Sequence, residues 1–465
     1  MLFNSHEFLF FFLPFTLLVF YLVPKSLRIA VIFVASAVFY GASGLLPLAV
    51  MIFATLWGYT SVRLLPEAAA HGAAPARSAR RRFAIWMGVS VPVLLLILFK
   101  YLNFILTTLE AGPETRDFFF IILAAALPAG ISFYTFIIIA YVIDTADGKI
   151  QPERNFVRFA AYIWLFPHLI AGPILRYEPI VSQLKILSVA DRLTPDWKTA
   201  FKYLSFGLFA KVFLADLLGW FHSYTLHKDF VTEGTPTDAL FSILSYTFII
   251  YYDFFAYSLI AIALGKMLCI ELPRNFREPY LSPTPAEFWR RWHMTLSYWL
   301  RDYVYIRLGG NRRYVRNIFI VFIVCGIWHG AGWNFVVWGA YHAVLVTGYH
   351  LSKPLWKRMP HGVQVALTFA LVTLGWPLFF TDVDKYFLLL QKIVGVYGSG
   401  PPVYGWSHWA ILAVIAALTF LVRERVWLYN ETRSRFFDNP AVHALALFLA
   451  ILFLSGSRTF IYFRF

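Results

Sequence analysis

The chain has 465 residues, 60% of them apolar and only 14% charged, with a mean hydropathy of +0.65. A soluble globular protein carries about a quarter charged residues, so these values exclude that class and indicate an all-α polytopic membrane protein. The formal charge of +15 is spread over short loops between apolar runs, the pattern of basic loops kept in the cytoplasm, and calls for no nucleic-acid partner.

Spans are expected near 8–23, 28–46, 47–64, 83–107 and 118–143, since each run approaches the ~20 residues needed to cross a bilayer. The first run lacks a basic region before it and a small-residue cleavage site after it, so it reads as a retained span. Lys25 and Arg28 follow the first span, Arg63 and Arg77 to Arg82 the third, and Lys149, Arg154 and Arg158 the fifth. The alternate loops are poor in positive charge, which places the amino terminus in the periplasm. The Ala/Pro/Arg-rich piece His71 to Arg82 reads as a flexible loop.

From Phe156 the pattern breaks. FVRFAAYIWLFPHLIAGPILRYEPI carries two internal prolines and a glycine at membrane depth, where irregular backbone is tolerated only inside protein or along a watery cavity. His168, Gly172, Pro173 and Arg176 are therefore expected in a re-entrant or short tilted segment facing an interior funnel. The alternative is a proline-kinked span with Arg176 at its interfacial end.

Further spans follow near 200–219 and 239–268. The second holds Asp253 among tyrosines, and an acid at that depth should face the bundle interior and find a donor, either tyrosine hydroxyls or an arginine. The stretch 272–287 is too rich in proline and charge to cross. It ends in a helix start, with Thr284 as cap, Pro285 in the first turn and Glu287 three residues after the threonine. From Phe288 to Ile306 the periodicity predicts one amphipathic helix on the membrane surface, with Trp289, His293, Leu296 and Leu300 on one stripe and Arg290, Ser297 and Arg301 on another.

After the basic loop 309–316 the chain re-enters at Asn317. His329 comes twelve residues later, about 18 Å in at helical rise. Gly326, Gly330, Gly332 and Gly339 surround it, serving close helix packing or leaving a passage for a substrate. Spans near 362–380, 406–422 and 440–455 complete a total of about ten to twelve. The two cysteines, Cys269 and Cys325, lie in or beside apolar runs without CxxC spacing, so neither a disulfide framework nor a thiolate metal site is indicated. P-loop, Rossmann, HExxH and GxSxG patterns are missing. What remains is a buried imidazole able to act near neutral pH, suited to taking an acceptor hydroxyl's proton during acyl transfer.

Five strings carry a family resemblance: LPAGISFYTF (127–136), FPHLIAGPILRY (166–177), EFWRRWHMTLSYWLRDYVYIRLGGNR (287–312), GIWHGAGWNFVVWGAYHA (326–343) and FIYFRF (460–465). They resemble the bacterial branch of the membrane-bound O-acyltransferases, most of all the polysaccharide O-acetyltransferases of alginate and cellulose export. The resemblance covers essentially the whole chain and implies one domain, 1–465, with a catalytic core of about 127–345. It implies a ring of helices around a thin centre, where funnels from both faces meet at the catalytic histidine. In that family the WHG histidine is catalytic, which carries onto His329, and the earlier polar position corresponds to His293. Trp328, Asn334, Trp292, Arg290, Arg301, Asp253, His168 and Arg176 stand as channel-lining or supporting candidates. The donor implied is acetyl-CoA, with no permanently bound cofactor and no metal, and the partner is a periplasmic acetyltransferase of an export complex in the inner membrane. Near Asp253 relatives often follow FDFSGYSD, whereas this chain has YDFFAYSLIA, which puts a second carboxylate there in doubt. Two other readings stay open: D-alanyl transfer of the teichoic acid type, and a transporter with His168, Asp253, His293 and His329 as a relay.

Overall fold

The computed structural model describes residues 1–64, 79–119, 127–170, 172–223, 234–395, 401–424 and 436–454. Most of the expected loop His71 to Arg82, residues 120–126 of the fifth expected span and the closing FIYFRF lie outside them. Among the described residues every regular element is a helix, with no strand. Four helices are long and apolar enough to cross a membrane: Arg81–Thr108, Trp197–His222, Pro236–Met267 and His361–Phe379. Shorter apolar helices cover Glu7–Leu22, Leu45–Ser61, Ile131–Ala146, Trp406–Leu421 and Pro440–Leu452. The protein is an all-α polytopic membrane protein, and the expected runs carry helices at nearly their expected places.

The chain forms two compact units, residues 1–200 with 260–273, and residues 201–259 with 274–465. The first is built around Ile131–Ala146, a helix buried on almost all sides. Its neighbours approach closely because they present glycine at the crossings: a Cβ on Gly58 would come within 2.6 Å of Ile138, and one on Gly88 within 2.7 Å of Val142. Small residues at crossings let helix backbones meet where lipid gives no hydrophobic drive.

The segment from Phe156 resolves into two pieces, Phe156–Trp164 and Phe166–Leu169, and residues 173–176 carry no regular element before the helix that starts at Tyr177. It is no continuous kinked span. The break is satisfied inside protein, as buried irregular backbone must be. Phe166 N donates to Ser36 Oγ at 3.1 Å, and Trp164 Nε1 donates to Thr55 Oγ1 at 2.8 Å. Gly172 is required here, since a Cβ would collide with the His168 backbone.

At the loop that enters this segment Glu153 is buried. It bridges to Arg158 at 2.7 Å, accepts the Tyr177 hydroxyl at 2.9 Å and accepts the Asn155 N–H at 2.9 Å. Burial pushes the carboxyl pKa up, but Arg158 and these hydrogen bonds outweigh it, and the group sits below the usual glutamate value. Its stability contribution is present in full above an unfolded pKa of about 4.3 and is lost as pH falls through the lower folded value. Glu153→Gln should lower stability at pH 7 by about 2 kcal/mol. It should also flatten the acid limb of the unfolding midpoint in detergent; an unchanged acid limb would remove Glu153 from this role.

Candidate active site

Helix formation at Pro285–Arg291 follows the sequence signals: Thr284 Oγ1 accepts from Glu287 N at 3.1 Å, with Pro285 in the first turn. The helix does not run on to Ile306 as its periodicity suggests. It stops at Trp292, His293 takes a left-handed backbone with φ of 43°, and a new helix starts at Met294–Leu300. That conformation costs a residue with a Cβ about 1 kcal/mol or more, and tertiary hydrogen bonds hold it. Arg277 N donates to Arg291 O at 3.0 Å and Met294 N to Asn275 O at 2.9 Å, so the loop before the helix pairs across the break. Buried Asn275 completes the clamp, accepting from Thr295 Oγ1 at 2.6 Å and donating to Ser258 Oγ at 3.1 Å.

The break redirects His293. It leaves the stripe it would have shared with Trp289 and Leu296, yet it still points inward, 1% exposed, with the Phe254 ring edge-on at 4.6 Å. His329, 2% exposed, is the last residue of Tyr314–His329. The His293 and His329 ring centres lie 6.5 Å apart, with Trp328 at 5.7 Å from the first and 5.0 Å from the second. Trp338 and Phe379 close the cage, each 5.1 Å from the His329 ring.

Directly after His329 the chain turns through Gly330 to Gly332 and returns as Trp333–Trp356. The glycines serve this hairpin and leave no passage: a Cβ on Gly326 would meet the Phe335 carbonyl, and one on Gly339 that of Phe322. Asn334 anchors the returning helix by donating to Leu378 O at 2.7 Å. This is the turn that presents Phe379 to His329. Trp292 packs among Phe288, Phe276 and Trp376, with ring centres at 5.5, 5.1 and 4.8 Å.

A cavity of about 960 Å³ opens beside these elements, lined by Arg277, Arg290, Arg291, Arg301 and Arg423 with Trp289 at one wall. Glu287 offsets part of the charge, bridging to Arg290 at 3.3 Å and Arg291 at 3.0 Å. Behind the Trp289 ring lie Trp338 at 5.5 Å and His342 at 5.0 Å. Trp338 in turn packs on His329, so two tryptophans, Trp289 and then Trp338, stand between the arginine vestibule and His329. The expected open funnel therefore ends at Trp289, and His329 does not line the vestibule.

The remaining candidates lie elsewhere. Asp253 is bridged at 2.7 Å by Lys211, which also bridges Asp216 at 2.7 Å. A lysine, which the sequence reading did not name, is thus a partner of Asp253. Lys211 and Asp216 sit on a π-helical turn, Ala210–Asp216, whose wider winding aligns residues five apart. His168 and Arg176 belong to the first unit. There the His168 Nε2 lies 3.3 Å from the Tyr162 carbonyl oxygen, and Arg176 lies 4.0 Å from Asp144. Sequence reasoning passed over Lys211, Asn275 and His342. Lys211 was findable as a cation inside an apolar run, and His342 by its place one turn after Trp338. Nothing local marks Asn275.

Because His293 combines a left-handed backbone with a buried ring, two substitutions separate the two. His293→Gly should be more stable than His293→Ala by about 1 kcal/mol, since only alanine keeps a Cβ at positive φ. The comparison is read from unfolding midpoints in detergent, and equal midpoints would contradict the strain.

The profile of the membrane-bound O-acyltransferase family matches residues 153–381, which contain the vestibule's Trp289 and both caged histidines. A probable alginate O-acetylase of Pseudomonas putida is 38% identical over 389 residues, 82% of this chain and 77% of that protein. A peptidoglycan O-acetyltransferase of Helicobacter pylori is 27% identical over 100% of this chain and 98% of its own length. A teichoic acid D-alanyltransferase of Bacillus subtilis is 28% identical over 54% of this chain and 68% of its own. With its two histidines caged behind an arginine-lined cavity and this extent of likeness, the chain belongs to the membrane-bound O-acyltransferase family and is an acyltransferase.

Proposed function

We propose that this enzyme is the membrane subunit of a polysaccharide O-acetylation system, taking acetyl from cytoplasmic acetyl-CoA for an exopolysaccharide of the alginate or cellulose kind. The observation that carries the reading is the arginine vestibule ending two packed tryptophans, Trp289 and Trp338, from His329. The guanidinium groups match the phosphates of a coenzyme A thioester, and planar forks hold phosphate oxygens in pairs. Likeness to the P. putida protein over most of both chains favours acetyl over D-alanyl transfer.

In this reading Trp289 and Trp338 shift aside to admit the thioester. His329 removes the proton from an acceptor hydroxyl as its oxygen attacks the acetyl carbonyl; the coenzyme A thiolate leaves and the proton returns from imidazolium. Where acetyl rests first on His329, the imidazole is itself the attacking nucleophile and the acceptor hydroxyl displaces it. His293, held 6.5 Å away between ring centres, assists by polarising the same carbonyl. The acceptor side is a periplasmic acetyltransferase that passes acetyl to the polymer, with the chain in the inner membrane and its amino terminus in the periplasm.

His329→Ala, inserted normally, should lower acetylation of the secreted polymer by about 10²-fold to 10⁴-fold. Full acetylation with an inserted variant would overturn the assignment. Arg277→Gln with Arg423→Gln should raise KM for acetyl-CoA about tenfold with kcat nearly unchanged, as loss of uniform donor binding requires. A fall in kcat at constant KM would place those arginines outside donor binding.

A further inference from the structure

A second cavity lies within residues 201–259 and 274–465, on the other side of a thin partition from the vestibule. It holds about 240 Å³ and its walls are overwhelmingly apolar, including Phe206, Phe209, Leu214, Leu418 and Phe437. Its polar end is acidic: Glu424 and Glu278 both line it, beside the rings of Tyr251 and Tyr252. Glu278, Leu281 and Glu424 also line the vestibule and so form the partition.

Glu424 is 4% exposed, just past the end of Trp406–Leu421. One of its oxygens is engaged, Oε1 taking the Tyr251 hydroxyl. The other, Oε2, is buried and has no hydrogen-bond partner among the described residues. An unsatisfied buried carboxylate oxygen is costly and wants a donor. A carboxylate at the end of an aromatic-walled pocket recognises an ammonium group twice, by a charge-assisted hydrogen bond and by ring faces.

We propose that this cavity is a binding site for a protonated amine carried on a small apolar body, with the ammonium at the Glu424 carboxylate and the body between Phe209, Leu214 and Leu418. Cavities of about 150 Å³ take a benzene ring, so the volume here suits a phenylethyl-sized body. The site is separate from acetyl transfer and stands on its own geometry. It borders the reaction through one turn, Pro279–Leu281, whose Tyr280 packs on Phe288 and Trp292 at 6.2 and 6.0 Å. An occupant therefore braces the loop that leads into the His293 break.

Burial pushes the Glu424 carboxyl up to about 7, with the Tyr251 hydrogen bond, the Glu278 backbone N–H and Arg274 pulling down and the Glu278 charge pushing up. Amine binding consequently strengthens as pH rises through that value while the amine, with a pKa of about 10, stays protonated.

The test uses the full-length protein in nanodiscs and three probes of one shape: 2-phenylethylamine, 2-phenylethanol and propylbenzene. Saturable binding is measured by calorimetry. The amine should bind about tenfold more tightly than the alcohol at pH 8, and propylbenzene more weakly still. Glu424→Gln should erase the amine's advantage, and Leu418→Trp, which fills the body of the pocket, should remove binding of all three. The pH series on the unsubstituted protein needs no variant, and amine affinity should rise from pH 6 to about 8. Equal binding of the three probes, a flat pH series, or no saturable binding would each overturn the proposal. None of these results depends on whether His329 transfers acetyl.

Discussion

The active region depends on a backbone break held from outside its own helix. Local signals from Thr284 onward favour one continuous helix, and intrinsic propensity would carry it through His293. Asn275 overrides them with three hydrogen-bonding groups, its carbonyl taking Met294 N and its side chain joining Thr295 to Ser258, while Arg277 N pairs with Arg291 O. The strain at His293 turns its ring toward His329. Strained backbone of this sort persists only when the surroundings over-determine it.

Density is the second constraint. The hairpin Tyr314–His329 with Trp333–Trp356 closes so tightly at Gly326 and Gly339 that its turn fixes His329 against Trp338 and Phe379. Such an interior shifts between discrete packings, and Trp289 with Trp338 behind it forms the wall between the vestibule and His329. The Trp289 indole nitrogen has no hydrogen-bond partner among the described residues, and its ring packs edge-on against Phe288, Phe322, Trp338 and His342. Such contacts contribute about 0.5–1.5 kcal/mol each beyond burial.

Buried charge is handled by pairing. Lys211 sits between Asp216 and Asp253 because a π-helical turn brings the first into line and the facing helix supplies the second. Ion pairs out of water are often no more stabilising than apolar packing, but removing one partner is costly. Asp253 precedes Phe254, the ring that meets His293, so the same bridge that neutralises the lysine fixes the rotation of the helix supporting the site.

The sequence by itself determined the class of the protein, the approximate places of its apolar helices and the broken character of 156–176. These follow from composition, run length and prolines at membrane depth, which act locally whatever the fold. It also pointed to His329 and His293, because imidazoles in such surroundings are rare enough to stand out. Tertiary structure decided the break at His293, the lysine partner of Asp253, the closed wall at Trp289 and the use of the glycines for packing. Each rests on a contact between residues far apart in the chain, Asn275 with Thr295, Lys211 with Asp253, Trp289 with His342 and Gly339 with Phe322. Local periodicity carries no term for such contacts, and here their hydrogen bonds and packing outweighed local preference.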